Sequence, residues 1–263
     1  MTPDRLDFAV ALSRKAGKLG MDYFRRLDEL TVSKKGHQDL VSEADRDVET
    51  LVRDEIAATF PSDGIVGEEH GRVEGTSGFT WVIDPIDGTA NFVSGIPQWC
   101  VILACVHESE TVLGVIHDPN ADETFRAGKG RGAFVNDRPI KVSDSTSLSE
   151  GSLGVGFNGR TATSDAVNCI EALVARGGVF FRNASGGLML AYAASGRLLG
   201  YVEAHMNAWD CLAGMLIAAE AGGRVAAYDA VAALDNGARV IVSGPDIFDE
   251  ILEITERSFS PLS

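Results

Sequence analysis

Apolar positions near the start of the chain recur at helical spacing in two stretches. Leu6, Val10, Leu19, Tyr23, Phe24 and Leu27 fall loosely on one side of a first helix, while Val48, Leu51, Val52, Ile56 and Phe60 form a cleaner stripe. Ser42, followed three residues later by Asp45, marks the start of the second helix, and Pro61 lies just beyond its end. This spacing puts Asp45 in the first helical turn. From Ile65 the pattern changes to short β-branched runs cut by Gly, Asp and Pro: "GIVGEE", "TWVID", "CVILACV", "TVLGVIHDP" and "ETFRAGKGRGAFVND". They predict an antiparallel sheet of successive strands, with "GKGRG" (Gly128 to Gly132) as a hairpin turn rather than a phosphate loop, because no strand-to-helix context surrounds it.

After about residue 145 strands and helices alternate. Strands are predicted at "GSLGVGF", "GVFFR", "LLGYVEA" and "ARVIVSGP"; helices at Asp165 to Ala175, "GGLMLAYAAS", "AWDCLAGMLIAAEAGG" and the C-terminal segment. The expected architecture is mixed α/β (α+β). Residues 1–145 would hold the N-terminal helices and the antiparallel sheet, and residues 146–263 a C-terminal α/β half. The sequence shows neither repeat nor long linker, so the two halves are expected to form one compact unit.

Length and hydrophobicity support this picture: 263 residues, 45% of them hydrophobic, are enough for a sizeable core. Charge narrows the partners. With 23 Lys and Arg against 38 Asp and Glu, the net charge of -15 repels polyanions, so nucleic acid is not an expected partner. The N-terminal stretch lacks the apolar core of a secretion signal, and no later run resembles a membrane span; a cytoplasmic protein away from membranes is expected. Cys100, Cys105, Cys169 and Cys211 have no CxxC spacing and read as reduced, buried thiols.

The stretch that carries chemistry is "WVIDPIDGTANF", residues 81–92. A buried strand is expected to end at Ile83, with Asp84 at its carboxyl end, Pro85 blocking further pairing through its own nitrogen, and a short helix beginning near Asp87. Two carboxylates would converge there, followed by Gly88, whose backbone can approach a ligand closely, and by amides that can receive phosphate. Aspartates also cap such turns, so the pair alone leaves both uses open. Further acids lie at other element ends: Glu68, a better ligand candidate than Glu69, after the short run of Ile65 and Val66, and Asp210 after Asn207, the expected N-cap of an apolar helix. Several acidic loci suit a hard divalent cation with oxygen ligands, magnesium above all. Zinc is disfavoured, because His37, His70, His107, His117 and His205 are scattered without ligand spacing.

Taken together, "GEE" (67–69), "DPIDGTANF" (84–92) and "WDCLAG" (209–214), with "DLVSEAD" (39–45) and "GYVE" (200–203), resemble the inositol monophosphatase family over nearly the whole chain. The resemblance implies a layered αβαβα sandwich, Mg2+-dependent and lithium-sensitive hydrolysis of a phosphate monoester, two or three Mg2+ ions and a homodimer. It further implies that Glu68, Asp84, the Ile86 carbonyl, Asp87 and Asp210 hold metal and that Gly88 and Thr89 contact phosphate. Asp45 and Thr89 would activate water beside Glu68, with Glu203 meeting a substrate hydroxyl. Arg182 and Ser185, in "FFRNASGG", fall where the family builds its substrate end. Asp84, central among the acids, is the one placed to bridge two metals, and the Thr89 hydroxyl can pass a proton toward Asp45.

This sequence carries Asn207 where the animal enzymes tend to carry histidine. The expected substrate is a small phosphorylated polyol or amino alcohol, inositol 1-phosphate first, with histidinol phosphate, fructose 1,6-bisphosphate and adenosine 3',5'-bisphosphate as alternatives. A non-catalytic binding protein on the same scaffold is the reading from another class, and no apolar replacement at a metal or water-activating position favours it.

Overall fold

The computed structural model describes the backbone of residues 4–29, 32–36 and 39–261. Helix α1 spans Arg5–Phe24; strands β1 (Val32–Gly36) and β2 (Asp39–Ser42) pair antiparallel, and α2 follows at Glu43–Thr59. Next come β3 (Gly64–Gly67), β4 (Phe79–Asp87), α3 (Thr89–Val93), β5 (Cys100–His107), β6 (Glu110–Asp118), β7 (Glu123–Gly128), β8 (Ala133–Val135) and β9 (Arg138–Pro139). The C-terminal part holds β10 (Ser152–Val155), α4 (Thr163–Ala175), β11 (Val179–Phe181), α5 (Gly186–Ala194), β12 (Gly200–Met206) and α6 (Ala208–Glu220). It closes with β13 (Arg224–Val225), α7 (Ala230–Asn236), β14 (Ala238–Ser243) and α8 (Phe248–Ser258). The Ser42 side chain and His37 lie outside what the structure describes.

Helix α1 starts where Asp4 accepts the Leu6 amide at 2.9 Å, satisfying an amide that has no partner within the helix. Its buried face is carried by Leu6, Ala9, Leu12 and Ala16 with two glycines, whereas Val10 and Leu19 of the expected stripe are only partly buried. Small residues let the helix lie close on the sheet. On α2, Val48, Val52 and Ile56 of the expected stripe are fully buried in one cluster with Trp81, Ile83, Val101 and Leu103, while Leu51 is partly buried.

The seven-stranded sheet runs β3-β4-β5-β6-β7-β8-β9, parallel only between β3 and β4. The five-stranded sheet runs β11-β10-β12-β14-β13, with β10 parallel to both neighbours and β14 antiparallel to both of its own. Three apolar clusters order the layers. One joins α1 and α2 to the outer face of the large sheet; a second packs Leu188, Leu190, Leu212 and Ile217 of α5 and α6 between Ile102 and Ile116 on one side and Tyr201 and Val242 on the other. A third seats α4 and α8 on the far face of the small sheet through Leu173, Ile251 and Ile254 against Leu153, Val202 and Ile241. The result is an αβαβα sandwich.

Strand β4 departs from expectation in a way that matters for the site. It does not stop at Ile83 but continues to Asp87, past Pro85. Asp84 pairs with Ile102 and Asp87 with Cys100, so three steps on β4 match two on β5. This is a β-bulge, and it absorbs the proline nitrogen that cannot join the ladder. In a regular strand, residues three apart face opposite sides. Because of the extra residue, Asp84 and Asp87 both face the α5–α6 layer, while Ile86 is buried in the α1–α2 cluster.

A polar clamp ties α1 to the edge of the same sheet. Asp63, just before β3, accepts from Arg5 Nε and Nη2, both at 3.0 Å, from Ser77 Oγ at 2.6 Å and from Trp81 Nε1 at 3.0 Å. Burial raises the Asp63 pKa, but these donors outweigh it and hold the carboxyl below its ordinary value. Asp63→Ala leaves Arg5 and the Trp81 indole without their acceptor, and a loss of about 3 kcal/mol is expected in urea unfolding. For a depressed carboxyl the stabilisation is present above its unfolded value of 3.8 and is lost as pH falls through the lower folded value. The gap between wild type and variant should therefore close in acid.

Candidate active site

The bulge of β4 and the first turn of α6 bring Asp84, Asp87 and Asp210 together, with one carboxylate oxygen of each within 4.8 Å of the others. Asp84 and Asp87 are buried. Asp84 Oδ1 accepts the Ile86 amide at 3.0 Å, which bends the bulge around the carboxylate. Asp210 Oδ2 accepts the Asn207 amide at 3.1 Å, so Asn207 caps α6 as expected and Asp210 is held by the turn it closes. Glu68 lies just beyond this triad, on the loop after β3; its amide donates to the Ile83 carbonyl at 3.3 Å and its charge acts on Asp84.

Thr89 stands beside the triad. Its Oγ1 lies 3.1 Å from Asp45 Oδ1 and 3.0 Å from the Ile86 carbonyl, so its single proton is shared between two acceptors and its lone pairs remain available. Asp45 is fully buried on the first turn of α2. Gly88, which begins the turn, has φ of +94°, a left-handed conformation, and a Cβ there would lie 2.9 Å from the Gln98 carbonyl. The crowding comes from the protein itself: the Gln98 carbonyl and the Ser185 side chain close around the turn.

Asp87 is held from the other side by the start of α5: the Gly186 and Gly187 amides donate at 3.2 and 2.7 Å, the Ser185 hydroxyl makes a short bond, and the Cys100 thiol lies at 3.4 Å. Ser185, expected at the substrate end, is fully buried beneath Asp87 and also accepts the Leu188 amide as the α5 N-cap. Its place is behind the acid rather than in the pocket. Arg182 is exposed and donates to the Phe157 carbonyl at 3.1 Å. The sequence pattern alone does not mark Cys100, the two α5 amides or Asn91, which donates to the carbonyls of Gln98 and Asn183, each at 2.7 Å, and so joins the α3 turn to the segment before α5. A serine three residues before an apolar helix run was the available signal for the α5 cap.

Glu203 on β12 is buried and takes hydrogen bonds from Tyr201 and, at 2.7 Å, from Asn158 Nδ2. Burial raises its pKa, against these two donors and the positive charge of Arg182. Asn158 also donates to the His205 carbonyl at 2.6 Å, pinning the segment after β10 to β12. Tyr201 and Asn158 were not singled out in the sequence. Among the described residues no histidine or cysteine belongs to the acidic ligand cluster, and all four cysteines are free and buried.

Three carboxylates this close repel one another, and the proton affinities record it. Burial, then the charges of Glu68, Asp87 and Asp210, pushes Asp84 well above its ordinary range. Burial also raises Asp87 against its hydrogen bonds. Burial and the Asp87 charge push Asp210 up to about 7. An all-oxygen, mutually repelling set of this kind fits a hard divalent cation, with the Ile86 carbonyl adjacent.

A pH signature follows. Between the unfolded value of 3.8 and about 7, the folded metal-free site keeps a proton on Asp210 that the unfolded chain has lost. That contribution to stability is present in acid and is lost as pH rises through about 7. A cation replaces the proton, so millimolar Mg2+ should raise Tm by several degrees more at pH 8 than at pH 5.5. Equal shifts at both pH values would contradict this account.

The fold and this acidic site define a phosphoric monoester hydrolase. The sequence profile of the inositol monophosphatase family matches residues 3–258, and the chain belongs to that family. It is 38% identical over 258 residues to the fructose-1,6-bisphosphatase/inositol-1-monophosphatase of Thermotoga maritima, covering 97% of this chain and 96% of that protein. It is 37% identical over 227 residues to the Nus factor SuhB of Xylella fastidiosa, covering 86% and 82%. The crystal structure of extragenic suppressor protein suhB from Bartonella henselae superposes with a TM-score of 0.89 at 31% identity, over 96% of this chain and 98% of that one.

Proposed function

We propose that the protein hydrolyses the phosphate monoester of a small polyol, inositol 1-phosphate first among them, with Mg2+ held by Glu68, Asp84, Asp87, Asp210 and the Ile86 carbonyl. The observation that carries this reading is the convergence of Asp84, Asp87 and Asp210 beside a Thr89 hydroxyl tied to Asp45. Bound Mg2+ supplies charge neutralisation for the phosphoryl oxygens and makes water a better nucleophile. The rest falls to the chain. The Gly88 and Thr89 amides receive a phosphate oxygen, and Thr89 accepts a proton from the attacking water while passing its own toward Asp45. The new P–O bond forms as the ester P–O bond breaks, the leaving alkoxide takes a proton from solvent water, and Asp45 returns the proton it received to solvent, so that charge balances.

Glu203, whose two oxygens take hydrogen bonds from Asn158 and Tyr201, is the acceptor assigned to a substrate hydroxyl, through its remaining lone pairs. The positive charge of Arg182 acts on the same carboxylate, which favours a neutral polyol over the cationic amine of histidinol phosphate. Ser185 is assigned to holding Asp87. The deciding experiment compares kcat/KM for inositol 1-phosphate, histidinol phosphate, fructose 1,6-bisphosphate and adenosine 3',5'-bisphosphate at fixed Mg2+, with and without Li+. Inositol 1-phosphate should rank first, with turnover lost on chelation and reduced by Li+. Turnover unchanged by chelation would overturn the metal assignment, and histidinol phosphate ranking first would overturn the substrate.

A further inference from the structure

Four residues after Asp45, on the same face of α2, lies a second carboxylate that the chemistry above does not use. Glu49 is fully buried. Its Oε2 accepts the Glu69 amide at 2.7 Å; its Oε1 accepts the His70 amide at 3.1 Å and Arg53 Nε at 2.6 Å. Arg53 Nη2 donates in turn to the His70 carbonyl at 2.9 Å, so one helix grips both the amide and the carbonyl of the same loop residue. The approach on the other side is equally tight: a Cβ on Gly67 would lie 2.2 Å from Glu49 Oε1. Glu68 thus sits between two residues that both touch Glu49, with its own amide held by Ile83.

We propose that Glu49 is a positioning residue for the cation site: it fixes the backbone on either side of Glu68 and so sets where the Glu68 carboxylate meets Asp84. The proposal rests on the metal assignment made above and adds to it a determinant outside the ligand set. Both Glu49 oxygens are occupied by N–H donors from the loop and Arg53, which leaves Glu49 a holder of the loop and not a ligand. An ionised carboxylate costs several kcal/mol to bury, so a helix that only needed to pack here would do as well with an apolar residue. Its specific return is geometric. Through Asp45 and Glu49, one turn apart, α2 grips Thr89 on one side and the 68–70 loop on the other, fixing the distance between the water-activating pair and the acids. Outer partners of this kind typically tune metal affinity by roughly 10–100-fold.

The test is calorimetric titration of the metal-free protein with Mg2+. Glu49→Gln should weaken binding about 10-fold or more, with the Mg2+ concentration for half-maximal phosphate release rising in parallel and kcat at saturating Mg2+ changing less. In a Glu68→Gln background the same change should add almost nothing, because the effect passes through Glu68. Arg53→Lys, which keeps the charge but cannot bridge Glu49 and the His70 carbonyl, should weaken Mg2+ in the same direction and serves if Glu49→Gln does not fold. A lowered Tm with unchanged Mg2+ affinity in the folded variants, or full additivity with Glu68→Gln, overturns the positioning role alone. If the wild-type chain itself neither binds Mg2+ nor releases phosphate, the functional reading fails and this proposal with it.

Discussion

Asp84→Asn is expected to lower phosphate release by about 10³-fold or more while leaving the metal-free protein as stable as wild type at pH 8, or more so. The first half follows from position: Asp84 is the acid on which the charges of Glu68, Asp87 and Asp210 all act, so removing its charge breaks the cation site at its centre. Loss of several kcal/mol of transition-state stabilisation corresponds to that factor. The second half follows from repulsion. Asparagine retains an oxygen to accept the Ile86 amide and takes one ionisable acid out of a cluster of mutually repelling carboxylates. Assays of phosphate release beside thermal unfolding in EDTA would check both; an inactive variant with a much lower Tm would point to misfolding instead.

The next largest effect belongs to Asp45 and Thr89, the pair proposed to activate water. Asp45→Asn keeps the shape of a fully buried side chain but offers Thr89 a neutral acceptor, and Thr89→Ala removes the relay altogether. Positioned proton transfer contributes about 10²–10⁴-fold, so each variant should lose kcat within that range while KM changes little. Because the two groups act as one unit, the double variant should be hardly worse than either single one. Mg2+ affinity measured by calorimetry should stay near wild type in Thr89→Ala, which separates this pair from the ligands.

The acids of the site were legible because their residue types and order along the chain announce chemistry, and the strands and helices around them follow their periodicities closely. What brings the acids together was not. Alternation along a strand sends Asp84 and Asp87 to opposite faces, and only the unequal register against β5 reverses that. Glu49 is hidden for another reason: helical spacing puts it on the same face as Asp45, Val52 and Ile56, but a charged residue type suggests solvent, and its partners lie on a loop that returns over α2 after β3. Ser185 falls where the resembled family builds its substrate end, yet after a turn through Ala184, with φ of +63°, its hydroxyl donates to Asp87. In "GVFFR" the apolar run did form a strand, but β11 is an edge strand, and Val179, Phe180 and Phe181 are exposed rather than in the core. Hydrophobic pattern specifies the element; its rank within the sheet is set by distant segments.

The extra residue in β4 also constrains how this chain can change over time. Within limits the side chains between the two aspartates can be exchanged, Pro85 for other residues and the fully buried Ile86 for other apolar ones. The number of residues cannot: removing or inserting one would rotate Asp87 toward the α1–α2 layer and strand it among Trp81, Ile83 and Phe92. Deletion scanning across 84–87 should therefore be far more damaging than substitution scanning at Pro85, making count rather than composition the inherited property of this segment.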